Sequence, residues 1–433
     1  MSTNRLRRQL LAGGTAALAS VTGAVGQLKA IAPAATQLPR PLPAFRPGLF
    51  QSFFLGGFEC STHRRADGRR LDLTAATGHD RLARSDYGQL ASHGIRTVRD
   101  GLRWHLIEAG AAGDYDWSSA LPMLRAAEAE GMQVLWDLCH YGWPDGLDVF
   151  SAAFVERLAR YAAAFSRLHL EETGRPPMVC PINEISYLAW AGGDMALMNP
   201  MVRGRGGELK RQLVRAAIAS IQSIREAALG ARIMTAEPVI HIASPSGADP
   251  GPARAHLEAQ FQAWEMLTGK LAPELGGKPD LLDVVGVNYY WNNQWLCARP
   301  QLAGAQWLCE GPTLSPFDPR ARPLRRLLAD VHARYRRPIF LAETSIEGEL
   351  RAAWLRHVCM EVWEAMRDGV PLEGVCLYPV LSHPGWADDR YCPNGLLEME
   401  VQNGRRVEHA PLVAELLYQQ DRLQDLLARA GQP

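Results

Sequence analysis

From residue 50 onward the chain alternates eight times between a short apolar run and a longer amphipathic one. The apolar runs are "FFLGGFEC" (53–60), "IRTVRDGL" (95–102), "QVLWDLCH" (133–140), "MVCPINE" (178–184), "RIMTAEPVIHIA" (232–243), "LLDVVGVNYY" (281–290), "PIFLAETS" (338–345) and "GVCLYPVL" (374–381). Most are nearly continuous in apolar residues, the mark of parallel strands covered on both faces. The segments between them read as helices. Gly94, Gly131 and Gly174 stand where three of them should stop, Ser151 stands at a cap position, and a last helix is predicted near 411–429. Eight strand–helix units in this order predict a (β/α)8 barrel. The alternative is a doubly wound open sheet serving a nucleotide-dependent enzyme. It needs a glycine-rich phosphate loop after an early strand, and "LGGF" (55–58) falls short of that fingerprint.

The barrel is expected to occupy residues 49–433. Ahead of it, residues 33–48 hold five prolines and read as a linker. Residues 1–32 begin with basic residues, include the pair Arg7–Arg8 and continue into a weakly apolar Gly/Ala/Thr run, the layout of an export signal of twin-arginine type. A periplasmic or secreted protein is the expectation if that signal operates, and a cytoplasmic one otherwise. The run is too polar and too short for a membrane span, and stable membrane insertion is not expected. The chain has 46 basic and 46 acidic side chains, so no electrostatic case exists for nucleic acid. Eight cysteines occur without a CxxC pair, which argues against zinc. Cys139, Cys180 and Cys376 fall in core strands as small apolar residues. Cys297 and Cys309 bracket one loop and can pair in an oxidising compartment; free thiols are the other reading.

Two of the apolar strands end on a glutamate. "VCPINEISY" (179–187) carries Asn183 and Glu184, and "PIFLAETS" carries Glu343. A buried carboxylate costs several kcal/mol unless it is paired or protonated. These two close the fourth and seventh strands, at the end of a barrel where active sites lie, and strands four and seven face each other across the mouth. A pair of carboxylates flanking one bond is the apparatus of glycoside hydrolysis, one giving a proton and the other attacking the anomeric carbon or activating water. The bland reading makes each a structural ion-pair member, with Arg99 as one partner. Two such glutamates at these two strands favour catalysis.

At this point the residues carry a resemblance. The "NE" of strand four and "ET" of strand seven look like the acid/base and nucleophile of clan A retaining glycosidases, most of all the family 1 β-glycosidases. "VRDGLRW" resembles that family's "RFSISW" in placing Arg99 and Trp104. "WDLCHYGWPDGL" resembles "HWDLP", with His140 in the histidine's place. "VVGVNYY" is similar to "LGINYY", and "LYPVLSHPGWAD" to "AWSLLDNFEWA", with Trp386 matching the final tryptophan. The resemblance implies Glu184 as acid/base and Glu343 as nucleophile. Arg99 would keep Glu343 ionised, and Tyr290 would donate to the same carboxylate. Strand alternation turns Asn288 and Tyr290 the same way. His140, Asn183 and Asn288 would meet sugar hydroxyls, and Trp386 would face the sugar ring. No metal or organic cofactor is implied; the partner is a carbohydrate or glycoside.

The chain also departs from that pattern. Gly385 stands where the family's glutamate reads distal hydroxyls, Tyr378 replaces a strand-eight tryptophan, His63 falls near a strand-one glutamine, and Ile185 replaces a proline. Sugar recognition is therefore expected to differ, with Glu59, His63, Arg64, Asp388 and Asp389 available for it. Trp143 and Trp291 line the cleft or pack under loops. Glu237 binds substrate or pairs with an arginine of "RGRG" (203–206). A transglycosidase uses the same two glutamates, and a non-catalytic carbohydrate-binding barrel would not need them.

Overall fold

Eight parallel strands close on themselves in the computed structural model, which describes residues 47–303 and 306–430. The expected leader and all but the last two residues of the expected linker lie outside the described residues. The barrel strands are β1 (Phe54–Gly57), β2 (Thr97–Gly101), β3 (Gln133–Asp137), β4 (Met178–Cys180), β5 (Arg232–Pro238), β6 (Val284–Asn288), β7 (Ile339–Thr344) and β8 (Leu372–Leu377). Each pairs with the next, and β8 returns to β1 through Leu55 opposite Cys376. The open sheet is thereby excluded, and the (β/α)8 barrel read from the alternation is the fold.

Around the barrel run α1 (His79–Ser92), α2 (Leu121–Ala129), α3 (Ala152–Thr173), α4 (Gly206–Ala227), α5 (Gly251–Ala259), α6 (Gln262–Leu267), α7 (Leu324–Tyr335), α8 (Arg351–Arg367) and α9 (Ala410–Ala430). Their ends follow local chemistry. The Ser151 hydroxyl accepts from the Phe154 amide at the start of α3, and Gly174 closes the same helix with a left-handed φ of 69°. The amphipathic run 253–269 forms two helices, α5 and α6, rather than one. At the break, the Gln260 side chain takes the Leu257 carbonyl and accepts from the Ile240 amide, competing with the helical ladder. Among the described residues no helix is long and apolar enough to cross a membrane.

Side chains sort into two apolar layers because neighbouring strand positions point to opposite faces. Leu55, Leu135, Met178, Met234, Val284 and Phe340 fill the barrel, with Leu49 and Phe50 packed against them. Phe54, Val98, Trp136, Val179, Val285 and Leu341 face the helices. Phe340 is wholly buried.

Two expected strands are shorter than the sequence suggests. The fourth stops at Cys180, so Glu184 lies beyond the strand rather than on its last residue. The run 232–243 leaves the barrel at Pro238, which has no amide proton to continue a ladder. Its tail, His241–Ala243, pairs instead with Gln294–Leu296 outside the barrel. Beyond that pair the loop after β6 folds as a hairpin, Arg299–Ala303 with Gln306–Glu310, beside a Cys297–Cys309 disulfide. Free thiols, the other reading of these two positions, give way to the disulfide.

A buried ionic cluster ties α1 to β2 and to the two-stranded Leu397–Gln402/Arg405–Glu408 ribbon. His79 meets Asp86 through Nδ1 and Asp100 through Nε2, each at 2.8 Å. Arg406 of the ribbon reaches Asp86 at 2.9 Å, and the Tyr87 hydroxyl donates to Asp100 at 2.6 Å. Burial opposes charge on His79, but the two aspartates outweigh it and push its pKa from 6.5 up to about 9. A folded-state pKa above the unfolded one gives stability that is complete below 6.5 and lost as pH rises through about 9. The melting temperature is therefore expected to fall by about a few degrees between pH 6 and 9.5. His79→Gln should melt lower at pH 6 and lose that slope; equal slopes in thermal melts of the two proteins would remove the cluster from the account.

Candidate active site

Glu343 owes its direction to an irregular strand. Along β7, Ile339 and Leu341 face the helices while Phe340 and Ala342 face the interior. Strict alternation would send Glu343 outward with Leu341. The pairing with β6 shifts register between Leu341 and Glu343, as a bulge does, and Glu343 aligns with Asn288. Its side chain therefore enters the barrel mouth. One carboxylate oxygen accepts from Arg99 Nη1 at 2.6 Å and the other from the Tyr290 hydroxyl at 2.7 Å.

Glu184 is held by strain and by its neighbours. Its backbone is left-handed, φ 42° and ψ 64°, at the start of the short helix Ile185–Leu188. A residue with a β-carbon adopts that geometry at a cost of about 1–3 kcal/mol unless its surroundings hold it. Here the Asn183 amide donates to the Cys139 carbonyl and the Glu184 amide to the Ala236 carbonyl, both at 3.1 Å. Glu237 completes the clamp. It faces away from the interior of β5 and accepts the Ser186 amide at 3.0 Å. Its expected arginine partner in 203–206 is replaced by that backbone contact, with buried Lys210 as the nearby cation. The Glu184 carboxyl receives the Tyr141 hydroxyl at 2.5 Å and Asn288 Nδ2 at 2.9 Å.

The two glutamates thus sit in one hydrogen-bonded network but in different electrostatic settings. Burial, and next the charge of Glu343, push Glu184 up to about 8, overriding the two hydrogen bonds that favour its ionised form. Glu343 has a guanidinium against it instead. Arg99 is wholly buried and also meets Asp137, at 2.8 Å through Nη2, and the Asn183 side-chain oxygen, at 2.6 Å. Asn183 is fixed as a result, and its Nδ2 faces the Tyr141 hydroxyl at 3.0 Å and His140 Nε2 at 3.2 Å. Asn288 Oδ1 is buried without a hydrogen-bond partner, an acceptor ready for a ligand donor.

His140 is buried, with Nδ1 on Asp137 at 2.9 Å. Tyr378 lies parallel to the His140 ring and beneath Arg99, whose guanidinium carbon is 5.1 Å from the ring centre. Gly57 makes this position available, since a β-carbon there would meet the Tyr378 ring at 2.1 Å. Half-buried Trp386 contacts the rings of His63, Tyr141 and Tyr187. His63 is bound to the Ser61 hydroxyl at 2.6 Å, and burial lowers its pKa to about 3, so it stays neutral. Arg64 and Asp389 serve loop bracing: Arg64 pairs with Asp145, and Asp389 with Arg65. Trp143 packs on Phe154 with its indole N–H on the Leu147 carbonyl, the packing alternative.

Sequence reasoning missed Asp137 and Tyr141. Asp137 gave the same signal as the glutamates, a carboxylate closing an apolar strand. Tyr141 gave none, since its contact with Glu184 depends on its own left-handed φ of 68°. Cys60, Asp137 and His140 also offer ligand-type atoms within 4.8 Å of one another. Arg99 occupies both oxygens of Asp137, however, and burial pushes the Cys60 thiol well up, so these groups form a hydrogen-bonded cluster rather than a cation cage.

Glu184 is therefore expected to stay protonated at neutral pH. Infrared difference spectra of wild type against Glu184→Gln should show a carboxylic acid band at pH 6.5 that is gone by 9.5. Glu237→Gln should lower its midpoint by removing a like charge. An unchanged midpoint would show that the two carboxyls do not sense each other.

No family model matches the chain, and no curated protein matches its sequence. Solved structures do. A family 1 β-glucosidase from Thermotoga maritima aligns over 89% of this chain and 99% of its own, with a TM-score of 0.67 and 15% identity. A complex of a T. maritima β-glucosidase with noeuromycin aligns over 90% and 100%, with a TM-score of 0.68 and 16% identity. Fpglu1 from Fervidobacterium pennivoraus aligns over 88% and 96%, at 0.68 and 14%. At these identities the likeness is one of fold: this chain shares the (β/α)8 architecture of family 1 β-glucosidases over nearly their full length.

Proposed function

We propose that this protein is a glycoside hydrolase that cleaves β-glycosides with retention, using Glu184 as acid/base and Glu343 as nucleophile. The observation that carries the reading is the pair itself. Two buried glutamates at the C-terminal mouth of the barrel belong to one network, one pushed up to about 8 and the other held by Arg99 and Tyr290. The environment that favours the proton on Glu184 suits it to the acid's part, and Glu343, positioned by Arg99 and Tyr290, is left to attack. The solved β-glucosidases of the same fold support the reaction class.

In the first step Glu343 attacks the anomeric carbon, the glycosidic C–O bond breaks, and Glu184 gives its proton to the departing oxygen. The product is a glycosyl ester on Glu343. Esterification removes the Glu343 charge, the second cause of the high Glu184 pKa. Glu184 then becomes more acidic and, as a carboxylate, can take a proton from incoming water. That water attacks the anomeric carbon and releases Glu343. Arg99 and Tyr290 stabilise the carboxylate that leaves, and Asn288 Oδ1 can accept a hydroxyl of the substrate. A sugar acceptor replacing the water gives transfer by the same chemistry.

The Cys297–Cys309 pair supports export through the N-terminal signal, because such bonds persist in oxidising compartments. The mass of the mature N-terminus, measured on protein from its own host, tests this: a chain beginning before residue 10 would rule out cleavage.

The decisive test is turnover of aryl β-glycosides (gluco, galacto, manno, xylo, fuco, glucuronide). Glu343→Ala and Glu184→Ala should each lower kcat by on the order of 10³-fold or more. Azide should restore release in Glu343→Ala with inversion at the anomeric carbon. The wild-type rate should fall as pH rises through about 8, where Glu184 loses its proton. Equal release by all three proteins would remove both glutamates from the reaction.

A further inference from the structure

The far end of this pocket has lost one carboxylate and gained another. Space at Gly385 is tight: a β-carbon there would lie 3.1 Å from the Asp388 carbonyl, and Asp388 Oδ1, 2.4 Å from that position, would have to swing away. The loop is closed on itself by the Gly385 amide on the Arg390 carbonyl, at 2.8 Å, and Arg65 Nη2 donates to the Gly385 carbonyl at 3.0 Å. The glycine is thus a consequence of how this loop folds over the rim.

Glu59 comes from the neighbouring strand, since β8 pairs with β1. It follows β1 on the same face as Leu55, which lies inside the barrel. Its side chain is 5% exposed. One oxygen accepts the Ser61 amide at 3.0 Å and lies 3.7 Å from His140 Nε2. Glu343, His383, Cys60, Cys392, Tyr187, Tyr290 and Tyr378 are other titratable groups around it; burial pushes its pKa up, and His140 and His383 oppose that. Among the described residues no lysine or arginine comes within ion-pair distance of Glu59. Arg99 is committed to Glu343, Asp137 and Asn183. His63 stays neutral; burial opposes charge on His140, but Asp137 and Glu59 raise its pKa, so its one charge is divided between Asp137, 2.9 Å from Nδ1, and Glu59, 3.7 Å from Nε2. The mouth therefore gathers Glu59, Glu343 and Asp137 around one permanent cation.

We infer that Glu59 is a specificity-determining residue, and that the sugar it selects carries a basic amino group. The inference rests on the glycosidase reading of the same site. A desolvated carboxylate without a full-time counter-charge is costly, and a ligand ammonium supplies that charge. An acidic sugar would add a like charge to the same place, which is penalised strongly in a water-poor site. A neutral sugar gains hydrogen bonds there but no charge compensation.

The test compares aryl β-glycosides of one hexose that differ in a single substituent: glucoside, the 3-, 4- and 6-amino-deoxy glucosides, and glucuronide. kcat/KM is measured with wild type and Glu59→Gln, and Kd of the corresponding methyl glycosides by calorimetry. At least one amino glycoside should exceed the glucoside by about tenfold or more, and the glucuronide should fall about 100-fold below it. Glu59→Gln should bring the amino-to-neutral ratio close to one. The wild-type ratio tests the inference without relying on a variant that folds. Preference for the neutral or acidic glycoside, or an unchanged ratio in Glu59→Gln, overturns it. Calorimetry separates the two readings: amino-sugar preference in binding without turnover sinks only the hydrolysis, and failure to bind any of these sugars overturns the selectivity.

Discussion

Arg99 is the interaction on which the site depends. A guanidinium with no solvent exposure is tolerable only if its donors are satisfied and its charge is matched. Glu343, Asp137 and the Asn183 oxygen do this from three different strands or strand ends. The same bonds fix the orientation of everything around them. Asn183 can present only its amide nitrogen to Tyr141 and His140. Asp137 holds His140 by Nδ1, and Glu343 is kept against a positive charge. Removing Arg99 would leave two buried carboxylates close together, so its absence would cost stability as well as chemistry.

Glu184 is built by a different principle. Among the described residues no lysine or arginine pairs with it; a strained backbone and desolvation set its state instead. Its left-handed backbone aims the carboxyl inward, and amide bonds to β3 and β5 keep it there. Glu237 binds the first turn of the following helix from behind, so a third carboxylate contributes through the backbone rather than through substrate. The consequence is a neighbouring pair in different settings, Glu184 favouring its proton and Glu343 lying against a guanidinium. The coupling runs both ways, because each charge on one raises the cost of charge on the other.

The rim of the mouth is where this chain departs from the family pattern. The loop at Gly385 is tight, Arg64 and Asp389 are consumed in bracing loops, and His63 is neutral. Glu59, half-buried Trp386 and the unpartnered Asn288 oxygen stand at the same mouth. The hairpin after β6 and its disulfide lie outside the barrel ladder, so this elaboration leaves the eight strands undisturbed.

Much of this was legible in the sequence. Eight apolar runs separated by capped helices specify the barrel, because parallel strands buried on both faces need continuous apolar residues and each crossover needs a helix. The two glutamates stood out because a carboxylate at the end of such a run must be accounted for. The family resemblance pointed to Asn288 and Tyr290, and period two turned them the same way. The direction of Glu343 did not: alternation along Ile339, Leu341 and Glu343 points it outward, and the register shift against β6 turns it in. Tyr141, whose reach to Glu184 depends on one left-handed residue, and the crowding at Gly385 were likewise decided by the folded chain. The physical reason is common to all three. Periodicity and composition fix which face a regular strand presents, whereas bulges, left-handed residues and close backbone approaches are set by contacts between segments far apart in sequence.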